Sequence, residues 1–66
     1  MESNEKQTMG RRIAALRRKK KMTQEQLAGK LGVTPQAVSK WENDLSCPDI
    51  SILPQLAVEL DISVDT

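Results

Sequence analysis

Apolar residues recur with helical spacing through most of this 66-residue chain, and the pattern predicts four helices joined by short connections. The first predicted helix covers residues 8–20, where Met9, Ile13 and Leu16 fall on one face. Its C-terminal half is strongly basic. This helix is therefore expected to bury one apolar stripe and to expose its charges.

The second predicted helix begins at a capping box and ends at a glycine. Thr23 is a helix-capping residue type, and Gln26 three residues later completes the box. Gly32 follows the last apolar residue, where a chain leaving a helix often needs a positive φ. The apolar face of this helix consists of Leu27, Ala28 and Leu31.

The third predicted helix starts immediately after that glycine turn. Thr34 is its expected cap, and Pro35 occupies the first turn, where no helical N–H is missed. Asn43 and Asp44 end it, because both residue types tolerate left-handed backbone angles. Its apolar stripe consists of Ala37, Val38 and Trp41. Two helices this short with one tight turn cross steeply, as in a helix-turn-helix, whose second helix enters the DNA major groove.

A loop and a fourth helix complete the pattern. Ser51 is the expected N-cap, because it places Pro54 at the third helical position, where the backbone N–H is unpaired in any case. The buried stripe of this helix is expected to comprise Leu53, Leu56, Ala57 and Leu60. A fifth helix would begin near Ile62, and only four residues follow. Apolar surface near Leu56, Leu60 and Ile62 is therefore expected to have little cover.

Composition excludes several kinds of stabilisation and chemistry. A chain of 66 residues accommodates one small domain, and its single cysteine, Cys47, cannot form an intrachain disulfide. There is no histidine and no cysteine cluster, so neither a structural zinc site nor a His-dependent nucleophile is expected. No apolar run approaches the roughly 20 residues of a membrane span, and no signal peptide precedes the charged start. These features predict a cytoplasmic protein without metal or cofactor.

The charges are distributed unevenly although the net charge is only +1. Seven of the ten basic residues lie in 11–21, whereas six acidic residues and no basic one follow Lys40. Such asymmetry favours a phosphate-facing surface near the first helix and its exit. The alternative is a solvated helix face that keeps a small protein soluble.

The central stretch TQEQLAGKLGVTPQAVSKWEN resembles the Cro/CI-type helix-turn-helix domain of phage repressors and many bacterial regulators. The upstream IAALRRKKKM and the downstream CPDISILPQLAVELDIS resemble its first and fourth helices, so the similarity covers residues 13–63. It implies an all-α fold, a compact four- to five-helix bundle of the lambda-repressor-like DNA-binding type, with the fifth helix truncated or absent. Residues 8–66 would then form one DNA-binding domain, a fragment of a longer regulator.

Residues 1–7 precede this domain. They are polar and have no apolar period, which predicts a disordered tail. An arm that folds onto DNA is the alternative, and the mixed charge of the segment disfavours it.

The resemblance also implies a partly buried ion pair between Arg17 on the first helix and Glu42 at the end of the third. Local spacing supports it, since Arg17 lies four residues after Ile13 and Glu42 four after Val38, which places each at the edge of the core face. The alternative is two solvated charges that contribute less than about 1 kcal/mol.

The residues that would read bases lie on the third helix. By resemblance, Gln36 reads a base and is braced by Gln24, which also contacts a phosphate; Gln suits adenine because its amide both donates and accepts. Lys40 would donate to guanine or reach a phosphate. Pro35 stands where some relatives carry a polar residue and offers only an apolar contact. The complete base-reading set implied is Pro35, Gln36, Ser39 and Lys40.

Phosphate contacts are expected from capping groups and from the basic cluster. The residues that match phosphate-contacting positions of the family are Thr23, Gln24 and Asn43. Further attraction is expected from Arg18, Lys19, Lys20 and Lys21. The loop after Asn43 departs from many relatives, because Asp44 replaces the usual glycine and Leu45-Ser46-Cys47 lacks a lysine. Cys47 as a redox switch is the less favoured interpretation of a lone loop cysteine.

These observations predict a sequence-specific duplex DNA-binding domain of a bacterial or phage transcriptional regulator, a repressor, with residues 34–43 in the major groove. It would bind a two-fold related operator as a homodimer, with no membrane and no small-molecule ligand in this segment. The alternative class is an interaction module, as in antitoxins and coactivators, but no toxin-binding surface is identifiable. An enzyme is not expected, because the sequence lacks a His-based nucleophile pair, a glycine-rich phosphate loop and a metal cluster.

Overall fold

The computed structural model describes residues 8–62, which fold into four α-helices and one turn of 3-10 helix and contain no strand. The helices are α1 (Met9–Lys19), α2 (Gln24–Leu31), α3 (Pro35–Glu42) and α4 (Leu53–Leu60), and the 3-10 turn is Ile50–Ile52. The predicted all-α class is confirmed. The predicted tail at 1–7 and any fifth helix beyond Ile62 lie outside the described residues.

The local signals of α2 and α3 are confirmed by their caps. Thr23 Oγ1 accepts from the backbone N–H of Gln26 at 3.0 Å, and the Gln26 side chain accepts from the Thr23 N–H at 2.9 Å. Gly32 ends α2 with a φ of 72°, and Thr34 Oγ1 accepts from the Ala37 N–H at 3.1 Å. These bonds span three residues, so they form wherever the helix forms.

The core lies between the four helices, where α2 packs against α3 and α4, and α1 packs against the same two helices. Its buried apolar side chains are Ile13, Leu27, Ala28, Leu31, Val38, Trp41, Leu56 and Leu60. Because α3 buries Val38 and Trp41, its opposite face is available to solvent.

The buried face of α1 differs from the prediction at its N-terminus. Met9 is 53% exposed, and Gly10 is buried in its place, so the inward positions are Gly10, Ile13, Ala14 and Arg17. The reason is the close approach of α1 to the end of α3: a Cβ on Gly10 would lie 2.2 Å from the carbonyl oxygen of Trp41. Only the missing side chain of glycine permits this contact.

Asp44 joins the N-terminus of α1 to the C-terminal end of α3. It has a φ of 60°, as expected for the residue that ends α3. Its carboxylate accepts from the Thr8 hydroxyl at 2.8 Å and from the Gly10 N–H at 3.2 Å, while Thr8 Oγ1 accepts from the Arg11 N–H. A carboxylate at a helix N-terminus is stabilised by the helix dipole. Asp44 therefore links α3 to the start of α1 through its carboxylate, which a glycine at this position would lack.

The start of α4 was predicted wrongly. Ser51 does not cap it; instead the Asp49 carboxylate accepts from the Ser51 N–H at 3.1 Å and from its hydroxyl at 2.6 Å. Asp49 thereby caps the 3-10 turn, which leads into α4 at Leu53 and leaves Pro54 in the first turn of the α-helix. The tighter 3-10 hydrogen bonding allows the chain to begin turning at Asp49 without placing Pro54 where a helical N–H is needed.

The cover over α4 differs from the prediction for Leu56 and Leu60, whereas Ile62 does line an open apolar groove. Leu56 and Leu60 are 3% and 1% exposed, so both are fully packed, and Ile62 is half-buried. The exposed apolar side chains on this side are Ile50 and Val58. They border an open groove beside α4.

Candidate nucleic-acid interface

A buried ion pair joins α1 to the last residue of α3. Arg17 Nε donates to Glu42 Oε2 at 2.7 Å, and Nη2 donates to Oε1 at 3.0 Å. The third guanidinium nitrogen, Nη1, donates to the carbonyl oxygen of Met22 at 2.8 Å. The two side chains are only 11% and 6% exposed, so their charges are withdrawn from solvent together. Because both charges are buried, moving α1 away from α3 would strand each of them, so the pair holds the two helices together.

Gln24, the first residue of α2, is attached to the same carboxylate. Its Nε2 donates to Glu42 Oε1 at 2.9 Å. Among the hydrogen bonds within residues 8–62, none joins Gln24 to Gln36, so the expected brace between the two glutamines is replaced by one to Glu42. A carboxylate is a stronger acceptor than an amide, and Gln36 is exposed.

These contacts set the protonation of the pair. Burial acts to raise the pKa of the Glu42 carboxyl, but the hydrogen bonds from Arg17 and Gln24 and the charges of Arg17 and Arg18 outweigh it, and the pKa lies below its ordinary value. The hydrogen bond to Glu42 raises the pKa of the Arg17 guanidinium, against the opposing effect of burial. Both groups are therefore charged at neutral pH.

The side chains expected to read bases lie on the face of α3 opposite the core. Pro35, Gln36 and Lys40 are exposed, and Ser39 is half-buried. Two of them, Gln36 and Lys40, are four residues apart and so occupy the same side of the helix. Together they present amide and ammonium donors and an amide acceptor.

The side chains expected to contact phosphates flank this face. Thr23 is exposed at the N-terminus of α2, where the backbone N–H groups of Gln24 and Glu25 have no hydrogen-bond partner among residues 8–62. Asn43 is exposed at the other end of α3, and its Nδ2 donates to the carbonyl oxygen of Ser39 at 2.9 Å. Its second Nδ2 proton and its side-chain oxygen have no partner among the described residues and so can contact a ligand.

A family model described as helix-turn-helix matches residues 13–66. The chain belongs to this Cro/CI-type helix-turn-helix family. The family comprises DNA-binding domains of transcription regulators and is typically non-enzymatic. No curated protein and no solved structure matched the chain significantly. Within residues 8–62, no helix has the length and apolar character needed to cross a membrane.

The basic cluster of this helix-turn-helix domain is exposed at the end of α1. Its four members are Arg18, Lys19, Lys20 and Lys21. Lys20 Nζ lies 3.8 Å from an Asp61 carboxylate oxygen in a solvent-exposed pair that contributes little to stability. Lys21 has a φ of 59°, which turns the chain from α1 towards α2.

Two residues beside the interface make contacts between α1 and α3 that the sequence did not predict. Gly10 has no local turn signal, because it lies inside a helix, and its role depends on α3. Asp44 was interpreted as a loss of the usual loop glycine, whereas it holds the end of α3 against α1. Thr8 is a capping residue type and so a local signal for the start of α1. No local pattern indicates that it contacts Asp44, 36 residues away.

Proposed function

We propose that this helix-turn-helix domain binds duplex DNA sequence-specifically as part of a bacterial or phage transcriptional repressor. In this proposal, residues 34–43 enter the major groove, and two copies of the chain bind a two-fold related operator. The observation that carries it is the division of α3 into a buried face, with Val38 and Trp41, and an exposed polar face that presents Gln36 and Lys40.

Each exposed group on α3 suits a particular base contact. The Gln36 amide matches the N6 and N7 edge of adenine, and the Lys40 ammonium matches O6 and N7 of guanine or a phosphate. Ser39 carries a hydroxyl that both donates and accepts. Pro35 supplies an apolar surface for a thymine methyl group.

Phosphate contacts would position the helix rather than specify sequence. At one end of the interface Thr23 is exposed, and the backbone N–H groups that follow it at the start of α2 have no partner among residues 8–62. At the other end lies Asn43, and the basic cluster 18–21 adds attraction at longer range. The N-terminus of α2 suits an anion because its backbone donors and its dipole act together.

The experiment begins with selection of a duplex from a random-sequence pool by the 66-residue protein. Affinity for the selected duplex and for a scrambled one is then measured across a range of salt concentrations. Each neutralised phosphate contributes about −0.9 to the slope of log K against log salt, so a steep negative slope is expected for both duplexes. The selected duplex should be bound more tightly at every salt concentration.

Two single-charge variants control this measurement. Lys40→Ala should lower the affinity for the selected duplex more than Lys30→Ala does. Lys30→Ala removes the same charge from the C-terminal turn of α2, away from the exposed face of α3 and near α4, where Gln55 donates to the Lys30 carbonyl. Failure to enrich any sequence, or equal losses from both variants, would contradict the proposed interface. If the 66-residue chain binds a protein partner and no duplex, the alternative function applies, that of an interaction module.

A further inference from the structure

The Glu42 carboxylate receives hydrogen bonds from two helices at once. Oε2 accepts from Arg17 Nε at 2.7 Å, while Oε1 accepts both Arg17 Nη2 at 3.0 Å and Gln24 Nε2 at 2.9 Å. Glu42 is the last residue of α3, Arg17 lies in α1, and Gln24 is the first residue of α2. The three helices of the interface therefore meet at one carboxylate.

The bond to Glu42 determines how the Gln24 amide is held. A carboxylate only accepts hydrogen bonds, so the NH₂ end of the amide must point at it and the oxygen must point away. One of the two Nε2 protons is used, and the other remains available to an outside acceptor. The side chain is also partly immobilised before any ligand arrives, so that less rotamer entropy is left to be lost on binding.

A negative charge so close to a phosphate-binding amide would ordinarily oppose DNA. Here Arg17 compensates it, because two guanidinium N–H groups contact the same carboxylate and both charges are buried. The pair presents little net charge to a phosphate. Glu42 can therefore orient Gln24 without strong electrostatic repulsion.

We propose that Glu42 is a positioning residue for the DNA interface, which acts by orienting the Gln24 amide towards a phosphate. This inference rests on the proposed function. It adds that the buried ion pair contributes to DNA affinity as well as to the fold. It predicts that the contribution of Gln24 to DNA binding depends on Glu42.

A thermodynamic cycle on DNA affinity tests this dependence. The background is the double variant Arg17→Met/Glu42→Leu, because replacing both partners of a buried pair with apolar residues of similar volume commonly preserves the fold. Gln24→Ala is made in the wild type and in this background, and binding to the selected duplex is measured. In the wild type we expect a loss of about tenfold or more, as for a hydrogen bond to a charged group.

The expected result in the background is a loss of less than about twofold, because Gln24 is no longer oriented there. Asn43→Ala is the matched control: Asn43 is also expected to contact a phosphate, but its side chain is bound to the Ser39 carbonyl rather than to Glu42. It should cost the same in both backgrounds. An equal loss from Gln24→Ala in both backgrounds would overturn the proposal, since a purely structural ion pair leaves that loss unchanged.

A second measurement needs no DNA and separates this inference from the proposed function. In the free protein, the side-chain amide protons of Gln24 should give NMR signals distinct from those of an exposed glutamine such as Gln36, and Glu42→Gln should shift them towards the exposed values. Glu42→Gln also supplies another background if the double variant does not fold. If Glu42→Gln left the Gln24 signals unchanged, the inference would be overturned even if the wild type binds DNA normally. If the Gln24 signals shift as expected but the wild type shows no salt-dependent binding to duplex DNA, only the proposed function is contradicted.

Discussion

Replacing Gly10 with alanine tests the close approach of α1 to the end of α3. An added Cβ would lie 2.2 Å from the Trp41 carbonyl oxygen, 2.6 Å from an Asp44 carboxylate oxygen and 3.0 Å from the Glu42 carbonyl oxygen. Two of these three atoms belong to the backbone at the end of α3, so they cannot rotate away as a flexible side chain would. The methyl group therefore requires α1 and α3 to separate.

Two opposing effects determine the size of the change. Alanine favours a helix by about 1 kcal/mol relative to glycine, whereas overpacking a tight contact costs about 1–3 kcal/mol. Here the 2.2 Å contact must open to at least 3.0 Å, which also stretches the hydrogen bond from the Gly10 N–H to Asp44, now 3.2 Å long. Weakening a hydrogen bond to a charged group adds to the cost. We expect a net destabilisation of about 2 kcal/mol, or a fall in melting temperature of roughly 10 °C.

Urea unfolding followed by the fluorescence of the single tryptophan, Trp41, measures this change. Gly29→Ala is the matched control, since nothing lies within 4 Å of the added Cβ at this exposed position inside α2. It should stabilise the protein by about 0.5–1 kcal/mol. If Gly10→Ala stabilised the protein by a similar amount, α1 and α3 would not approach each other as closely as the structure shows.

Two further predictions concern the ion pair and base recognition. The folded-state pKa of Glu42 lies below its ordinary value of 4.5. The pair therefore stabilises the fold fully above that pH and loses its contribution as the pH falls through the folded-state pKa. The free energy of unfolding should therefore fall more steeply with acid for the wild type than for Arg17→Met/Glu42→Leu. Asp49, whose pKa is lowered by its hydrogen bonds with Ser51, is present in both proteins, so its contribution cancels in the comparison. Parallel pH profiles of the two proteins would refute the argument. Gln36→Ala should cost about 1–3 kcal/mol of binding to the selected duplex and relax the preference at one base position, and a repeated selection that returned an unchanged preference would show that another residue reads that base.

The sequence alone was sufficient for α2, α3 and the turn between them. Thr23 and Gln26 form the predicted capping box, Thr34 caps α3, and Gly32 adopts the predicted positive φ. Each of these features depends on residues at most three positions apart, or on the backbone freedom of a single residue. The resemblance to the helix-turn-helix family was confirmed for the same reason, since its motif is a local pattern.

Predictions at the ends of elements were less accurate, because several local solutions were compatible with the sequence. Asp49 is a capping residue type like Ser51, but an α-helix starting there would place Pro54 where a helical N–H is needed, so the sequence favours Ser51. The 3-10 turn allowed Asp49 to cap while Pro54 stayed in the first turn of α4. Met9 fits the apolar spacing of α1 as well as Ile13 does, but its side chain lies beyond the edge of the core and is exposed.

Contacts between distant residues were decided only by the tertiary structure. The sequence placed Arg17 and Glu42 at the edge of the core face, but their bidentate geometry and the third donor from Gln24 depend on how three helices converge. Likewise, Asp44 and Gly10 meet only because the end of α3 packs against the start of α1. Spacing along one helix determines which residues share a face, whereas the identity of the facing partner depends on the packing of helices that lie far apart in the chain.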